Sequence, residues 1–179
     1  MKRLAIVLFS TMSCVPLLQL PTIEQIDTSS VVGLYLETEP GNRLIEMFQR
    51  ADSLNVEDIY CLYGRVLATD TVGFDIRIER ASRANIVSTD SMGLRRADND
   101  CIRDRSFIGM AHTHLRINGQ LHPAPSDIDI TSFWLGREEM LMIVVYDVVL
   151  LDNGQMGMRI IFRLKHGIMK LWNWRAEDE

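Results

Sequence analysis

Gly109-Met-Ala-His-Thr-His114 has the pattern of a β-strand end that presents two imidazoles on one face. Residues two apart in a strand project to the same side, so His112 and His114 can approach one metal ion together. After a loop, Ser126 opens a segment with helical character over 127–135, and Asp129 falls in its first turn. A catalytic zinc site commonly uses three protein ligands. The spacing therefore indicates His112, His114 and Asp129 as ligands of one divalent ion.

Each part of this pattern also has a simpler explanation. Ser126-x-x-Asp129 is an acidic variant of the helix capping box, in which a hydroxyl and a carboxylate accept hydrogen bonds from main-chain N–H groups. A His-x-His pair on a strand is often a polar surface pair. Capping and ligation are compatible, and their combination is more specific than either part. His122, in the intervening loop, is an alternative ligand, but a solvated loop histidine explains it better, and it is left out of the ligand set.

The segment resembles the JAMM motif of the JAB/MPN metalloprotease family, which is His-x-His, a spacer, and Ser-x-x-Asp. The family also has an upstream catalytic glutamate at the start of a Glu-x-x-x-x-Leu-x-Gly strand, and Glu57-Asp-Ile-Tyr-Cys-Leu-Tyr-Gly64 matches this pattern. Taken alone, Glu57 would be a solvated residue at the beginning of a strand. The resemblance covers residues 29 to 165, and it implies that Glu57 is the general base.

The chain departs from the family pattern between the second histidine and the serine. Leu115 stands where the family usually has proline, and eleven residues separate His114 from Ser126, which is more than usual. An insertion in a surface loop costs little, because loop-closure entropy rises slowly with length. We expect the longer loop, which contains Asn118, Gly119 and Pro123, to leave the ligands in place and to remodel the substrate groove.

The remaining sequence predicts a sheet accompanied by helices. Val31 to Glu37 has strand character, Pro40 and Gly41 are expected to break the chain, and apolar residues then recur with helical spacing. Further strands are predicted at 59–67, 74–78, 107–114, 140–146 and 158–164. The continuous apolar run Met140 to Tyr146 is typical of a central strand buried on both faces. Asp152-Asn-Gly154 has turn chemistry and predicts a hairpin between the last two strands.

These elements predict an α/β or α+β fold class. The family resemblance implies the finer architecture, a mixed curved β-sheet flanked by helices as in JAB/MPN and cytidine-deaminase-like folds. The 179 residues, 47% of them hydrophobic, suffice for one domain. We place it at 29–170, with a tail at 171–179 whose Trp172 and Trp174 are expected to cover the core edge. The net charge of −5, with arginines interspersed among acids, does not indicate a nucleic-acid partner.

The amino-terminal segment differs in character from the rest. Lys2 and Arg3 precede an uncharged run from Leu4 to Ile23, which predicts a signal peptide or membrane anchor at 1–22. We therefore expect a secreted, periplasmic or membrane-anchored protein, with lipidation of Cys14 as a minor option. The alternative is a cytoplasmic protein whose amino-terminal helix packs on the domain.

Cysteine usage leaves two alternatives open. Cys61 and Cys101 can pair in an exported protein, or they can be buried thiols. We favour thiols, because Cys61 lies in an apolar strand where free cysteine packs as a small hydrophobe.

The ligand set and the resemblance together imply a zinc-dependent peptidase or isopeptidase, with Zn²⁺ as cofactor. Glu57 would act as general base and Ser126 as the hydrogen-bond donor to the oxyanion. The expected partner is a peptide or an isopeptide-linked protein, and export would favour an extracytoplasmic peptide over a ubiquitin-like conjugate. Two alternatives remain: a noncatalytic MPN-type scaffold or binding module, and a zinc hydrolase of a non-peptide amide. The sequence does not indicate an oligomeric state.

Overall fold

The computed structural model describes residues 31–69, 73–85, 100–114, 116–117, 120–121, 125–127, 129–130, 133, 140–164 and 170–175. In this part of the chain, one long helix accompanies short and long strands. The helix is α1 (Thr38–Leu54). The strands are β1 (Val31–Leu36), β2 (Ile59–Ala68), β3 (Phe74–Arg83), β4 (Phe107–Thr113), β5 (Arg116–Ile117), β6 (Gln120–Leu121), β7 (Leu141–Leu150), β8 (Met156–Leu164) and β9 (Lys170–Arg175).

Seven strands form one mixed sheet in the order β1-β3-β2-β4-β7-β8-β9. The pairs β1–β3 and β4–β7 are parallel, and the other neighbours are antiparallel. The sheet curves until its two edges approach each other, since the Trp174 indole N–H on β9 donates to the Leu36 carbonyl on β1 at 3.0 Å. The predicted mixed α/β class is confirmed, in the form of a nearly closed, barrel-like sheet with α1 packed on one face.

The main core lies between α1 and the concave side of the sheet. Leu44, Met47, Phe48 and Ala51 are buried and recur at helical spacing, so they form one side of α1. They contact the sheet chiefly at β3 and β7. The helix predicted from apolar spacing is confirmed.

The predicted chain break at Pro40 and Gly41 is wrong, because α1 begins at Thr38 and includes both residues. Proline is tolerated in a first helical turn, where its missing N–H would have no intrahelical acceptor. Gly41 donates its N–H to the Glu37 carbonyl at 3.0 Å, as a helix requires. A side chain at Gly41 would overlap the ring of Trp174, so glycine permits the close approach of β9 to α1.

The central strand and its hairpin follow the prediction. Every residue from Leu141 to Val145 is buried, and β7 is hydrogen-bonded to β4 on one side and β8 on the other. Gly154 has a positive φ of 82° in the turn that joins β7 and β8. The sheet continues through β9 into the segment 171–179 that the sequence suggested as a tail. Trp174 covers the core edge there, being only 5% exposed.

A second, smaller cluster lies on the face of the sheet opposite α1. It contains Cys61, Tyr63, Ala84, Cys101 and Phe107. Cys61 and Cys101 form a disulfide, so the expectation of buried thiols is wrong. The reason is that residues 100–106 fold back over β2, where the Gly64 N–H donates to the Ser106 carbonyl at 2.7 Å. This brings Cys101 onto the same face as Cys61.

Several predictions concern residues outside the described ranges. These are the signal or anchor at 1–22, including Cys14, and the loop residues Asn118, Gly119, His122 and Pro123. Within the described ranges, no helix has both the length and the apolar character needed to cross a membrane.

Candidate metal centre

The two histidines lie at the end of β4, a strand held on both sides. β4 pairs with β2 in antiparallel and with β7 in parallel fashion, so its backbone position is well determined. His112 and His114 project from the face opposite α1, and their Nε2 atoms lie 3.1 Å apart. Both side chains are largely buried, at 12% and 10% exposed. The strand therefore presents a converging pair of imidazoles, as its alternation predicts.

The carboxylate of Asp129 completes the group from a separate segment. Its Oδ2 lies 3.2 Å from Nε2 of His114, and its Oδ1 lies 3.6 Å from Nε2 of His112. The Ile130 N–H donates to the Ser126 carbonyl at 3.0 Å, which is the hydrogen bond of a helical turn. The described residues of the predicted 127–135 helix are helical, and Phe133 is buried beneath them. The helix start has thus returned to the end of the histidine strand.

Ser126 and Asp129 cap this turn as the simpler explanation predicts. The Ser126 N–H and hydroxyl both donate to Asp129 Oδ2 at 2.6 Å, and the Asp129 N–H donates to Ser126 Oγ at 3.2 Å. These reciprocal bonds hold the carboxylate in place before any ion is bound. The capping arrangement is therefore compatible with binding of a metal ion by Asp129.

The donor geometry fits a small divalent cation. The three ligand atoms all lie within 4.8 Å of one another. Bonds of 2.0–2.1 Å to a tetrahedral ion would place neighbouring ligand atoms about 3.3 Å apart. The two imidazole nitrogens lie 3.1 Å apart, and His114 Nε2 lies 3.2 Å from Asp129 Oδ2, whereas His112 Nε2 lies 3.6 Å from the other carboxylate oxygen, Oδ1. The group His112, His114 and Asp129 could hold a metal ion.

The electrostatic setting keeps Asp129 ionised. Burial is the largest single influence and by itself raises the pKa of this carboxyl, because it removes water from the charged form. Hydrogen bonds with His112, His114 and Ser126 act in the opposite direction and prevail, so the pKa lies far below its usual range. An ionised carboxylate is the form that ligates a cation.

Glu57 lies next to the ligand strand in the register of the sheet. Ile59 pairs with His112 across the antiparallel β2–β4 ladder. The Thr113 N–H donates to the Asp58 carbonyl at 3.1 Å, which extends the ladder by one position. The half-buried Glu57 precedes this rung on its segment, and His114 follows it on the other. Glu57 and the histidines therefore lie at the same end of the β2–β4 ladder.

The longer loop between the histidines and Ser126 contains a small hairpin. Arg116 pairs with Leu121 and Ile117 with Gln120 in antiparallel fashion. The insertion has not moved Asp129 away from the histidines, because Asp129 lies within hydrogen-bond distance of His114.

Sequence analysis missed one charged residue beside the site. Asp58, adjacent to Glu57, is fully buried and forms ion pairs with Arg50 of α1 and with Arg83 of β3, the latter at 3.1 Å. In the sequence, Glu57-Asp58 is a pair of acids at a strand start, which is typical of solvated residues. Only its two arginine partners distinguish Asp58 from a solvated acid, and these lie too far away in the chain to be identified from the sequence.

No model of a known protein family matches the chain, and no functionally characterised protein matches it. Two imidazoles, a carboxylate, a second acid on the neighbouring strand and a hydroxyl at a helix start are together suited to activating water beside a cation.

Proposed function

We propose that the protein is a zinc-dependent peptidase or isopeptidase with JAB/MPN-type architecture. One observation carries the proposal: the imidazoles of His112 and His114 and the carboxylate of Asp129, which come from two separate segments, bring their ligand atoms within 4.8 Å of one another. A compact set of two nitrogens and one oxygen suits zinc better than the oxygen-rich sites preferred by magnesium or calcium. The resemblance of Glu57, Ser126 and the ligands to the JAMM motif supports the same class.

The protein side chains divide the chemistry between them. His112, His114 and Asp129 would hold the zinc, which when bound would supply Lewis acidity to polarise a carbonyl and to lower the pKa of water. Glu57, just ahead of the adjacent strand, would accept the proton of the attacking water and later deliver it to the departing amine. Transfer of one proton in each direction returns the carboxylate to its starting state.

Ser126 would donate a hydrogen bond to the oxyanion formed at the scissile carbonyl. Its hydroxyl proton now points to Asp129 Oδ2, and a hydroxyl donates only one hydrogen bond. The hydroxyl must therefore rotate when substrate binds. The main-chain N–H of Ser126 also donates to Asp129, at 2.6 Å, so the carboxylate keeps a partner after this rotation.

The disulfide bears on where the protein acts. Disulfides persist in oxidising compartments and are rare in the cytosol, so the Cys61–Cys101 bond supports export. An extracytoplasmic peptide, such as a cell-wall cross-link, then becomes the preferred substrate. An isopeptide to a ubiquitin-like protein is the corresponding substrate for a cytoplasmic enzyme.

Metal analysis tests the centre. The full-length protein should bind one Zn²⁺ per chain, whereas His112→Ala and Asp129→Ala should each bind almost none. His122→Ala is the matched control and should retain the metal. Wild-type protein without zinc, or His112→Ala with unchanged zinc content, would favour the noncatalytic scaffold.

Turnover of a peptide and isopeptide library tests the reaction. Glu57→Gln should retain zinc and lose activity by about 10² to 10⁴-fold, the usual contribution of a general base. Undiminished turnover in this variant would remove Glu57 from the mechanism. Cleavage of simple amides without any cleavage of peptides would instead indicate a non-peptide hydrolase.

A further inference from the structure

Asp58 connects four elements of the fold at one buried point. It has no exposed surface. Its Oδ1 accepts hydrogen bonds from Arg83 Nε of β3 and from the Ile59 N–H of β2, both at 3.1 Å, and its Oδ2 pairs with Arg50 of α1. Its own N–H donates to Thr113 Oγ1 on β4 at 3.1 Å. The carboxylate is therefore held from three directions.

This arrangement is poorly explained as a device for stability alone. Transferring a carboxylate out of water is costly, and a buried ion pair is often no more stabilising than well-packed apolar side chains of similar volume. Two guanidinium groups, those of Arg50 and Arg83, face Asp58, and both reach solvent at their outer side, with 33% and 49% of their side chains exposed. The directional bonds between Asp58 and the two arginines specify the relative positions of their elements, and apolar packing would do so less specifically.

The hydrogen bonds to Thr113 place Asp58 at the boundary between sheet and site. In an ordinary antiparallel rung, the Asp58 N–H would donate to a main-chain carbonyl. Here it donates to the Thr113 hydroxyl, while the Thr113 N–H donates to the Asp58 carbonyl at 3.1 Å. Beyond this rung, Glu57 lies outside β2 and His114 lies outside β4. The Asp58–Thr113 pair is thus the last regular hydrogen-bonded connection between the β2 and β4 segments.

We propose that Asp58 is a positioning residue that sets Glu57 relative to His112 and His114. Thr113, the residue between the two histidines, is its contact on the ligand strand. Glu57 is bonded directly to Asp58, so the bonds that fix Asp58 also fix the main chain from which Glu57 projects. This inference rests on the proposed function, specifically on the role of Glu57.

The test uses Co²⁺ in place of zinc in the full-length protein, because Co²⁺ reports its surroundings by visible absorption. The measured quantity is the pH midpoint of the absorption change, which is sensitive to an acid near the metal. Glu57→Gln defines the shift produced by removing that acid. Asp58→Asn and Thr113→Val should each bind one Co²⁺ and shift the midpoint in the same direction, by at least half as much. Thr113→Ser, which restores the hydroxyl, should restore the wild-type midpoint.

A matched control separates positioning from general loss of an ion pair. Glu79→Gln removes the partner of Arg65 on the same pair of strands, where Arg65 Nε lies 2.6 Å from Glu79 Oε1. It should leave the midpoint unchanged. Thermal unfolding of each metal-free variant checks folding, and Thr113→Val, which preserves side-chain volume, remains informative if Asp58→Asn fails to fold.

The outcomes distinguish this inference from the proposal beneath it. A wild-type midpoint in Thr113→Val, with Glu57→Gln shifted, overturns the positioning role of Asp58 alone. Wild-type protein without Co²⁺ absorption, or Glu57→Gln with an unchanged midpoint, overturns the proposed function and the positioning role with it. A shift in Glu79→Gln equal to that in Asp58→Asn also overturns the positioning role.

Discussion

Replacing Cys61 and Cys101 together by alanine is expected to lower the free energy of unfolding substantially. The disulfide joins residues 40 apart in the sequence. The loss of denatured-state entropy on closing a loop of that length corresponds to about 4 kcal/mol at 25 °C. For a domain of this size, that loss lowers the melting temperature by about 8 to 16 °C.

Urea and thermal unfolding followed by circular dichroism provide the assay. Wild-type protein should be compared with the double variant, and each should be measured with and without reductant. Only the wild type should respond to reductant, since the variant has no disulfide between these positions. Thiol titration of unfolded, unreduced protein should detect Cys14 when that residue is present, and no other thiol. Equal stability of wild type and variant to within about 1 kcal/mol, or three reactive thiols, would refute the argument from loop closure.

Three further predictions concern the metal and two close backbone contacts. Zinc at a thousandfold excess over its Kd should stabilise the wild type by about 4 kcal/mol in calorimetry, and a stabilised His112→Ala would contradict the ligand assignment. Gly109→Ala should destabilise the domain by about 3 kcal/mol in urea titrations and reduce zinc binding, because the new Cβ would overlap the Leu141 carbonyl on the strand beside β4. Gly41→Ala should cost about 1 to 3 kcal/mol by overpacking against Trp174 and leave zinc stoichiometry intact, so loss of zinc in this variant would show coupling between distant regions.

Local patterns predicted the order of elements well. Burial of one side of α1 produces its 3.6-residue apolar spacing, and burial of both faces of β7 produces its continuous apolar run. The turn at Gly154 requires a local backbone conformation that glycine adopts easily. Such features are encoded within a few consecutive residues. Strand order was beyond this reasoning, since the parallel pairing of β1 with β3 and the approach of β9 to β1 join segments remote in sequence.

In the candidate site too, features encoded by neighbouring residues were predictable, and contacts between distant segments were not. His112 and His114 were assigned together because strand geometry relates them directly, and Asp129 because a helix start has a recognisable sequence. The disulfide was misjudged because burial of Cys61 is equally compatible with a thiol, and no local signal shows residues 100–106 folding back. Asp58 was missed for a related reason: its burial depends on Arg50 and Arg83, which come from other elements.

The indole of Trp174 also constrains the order of events during synthesis. Its hydrogen bond to the Leu36 carbonyl spans 138 residues, and its ring packs on Gly41 in the first turn of α1. A ribosome-bound chain that lacks β9 would leave the apolar edge beside β1 and α1 uncovered. The domain therefore cannot finish folding until β9 has been synthesised.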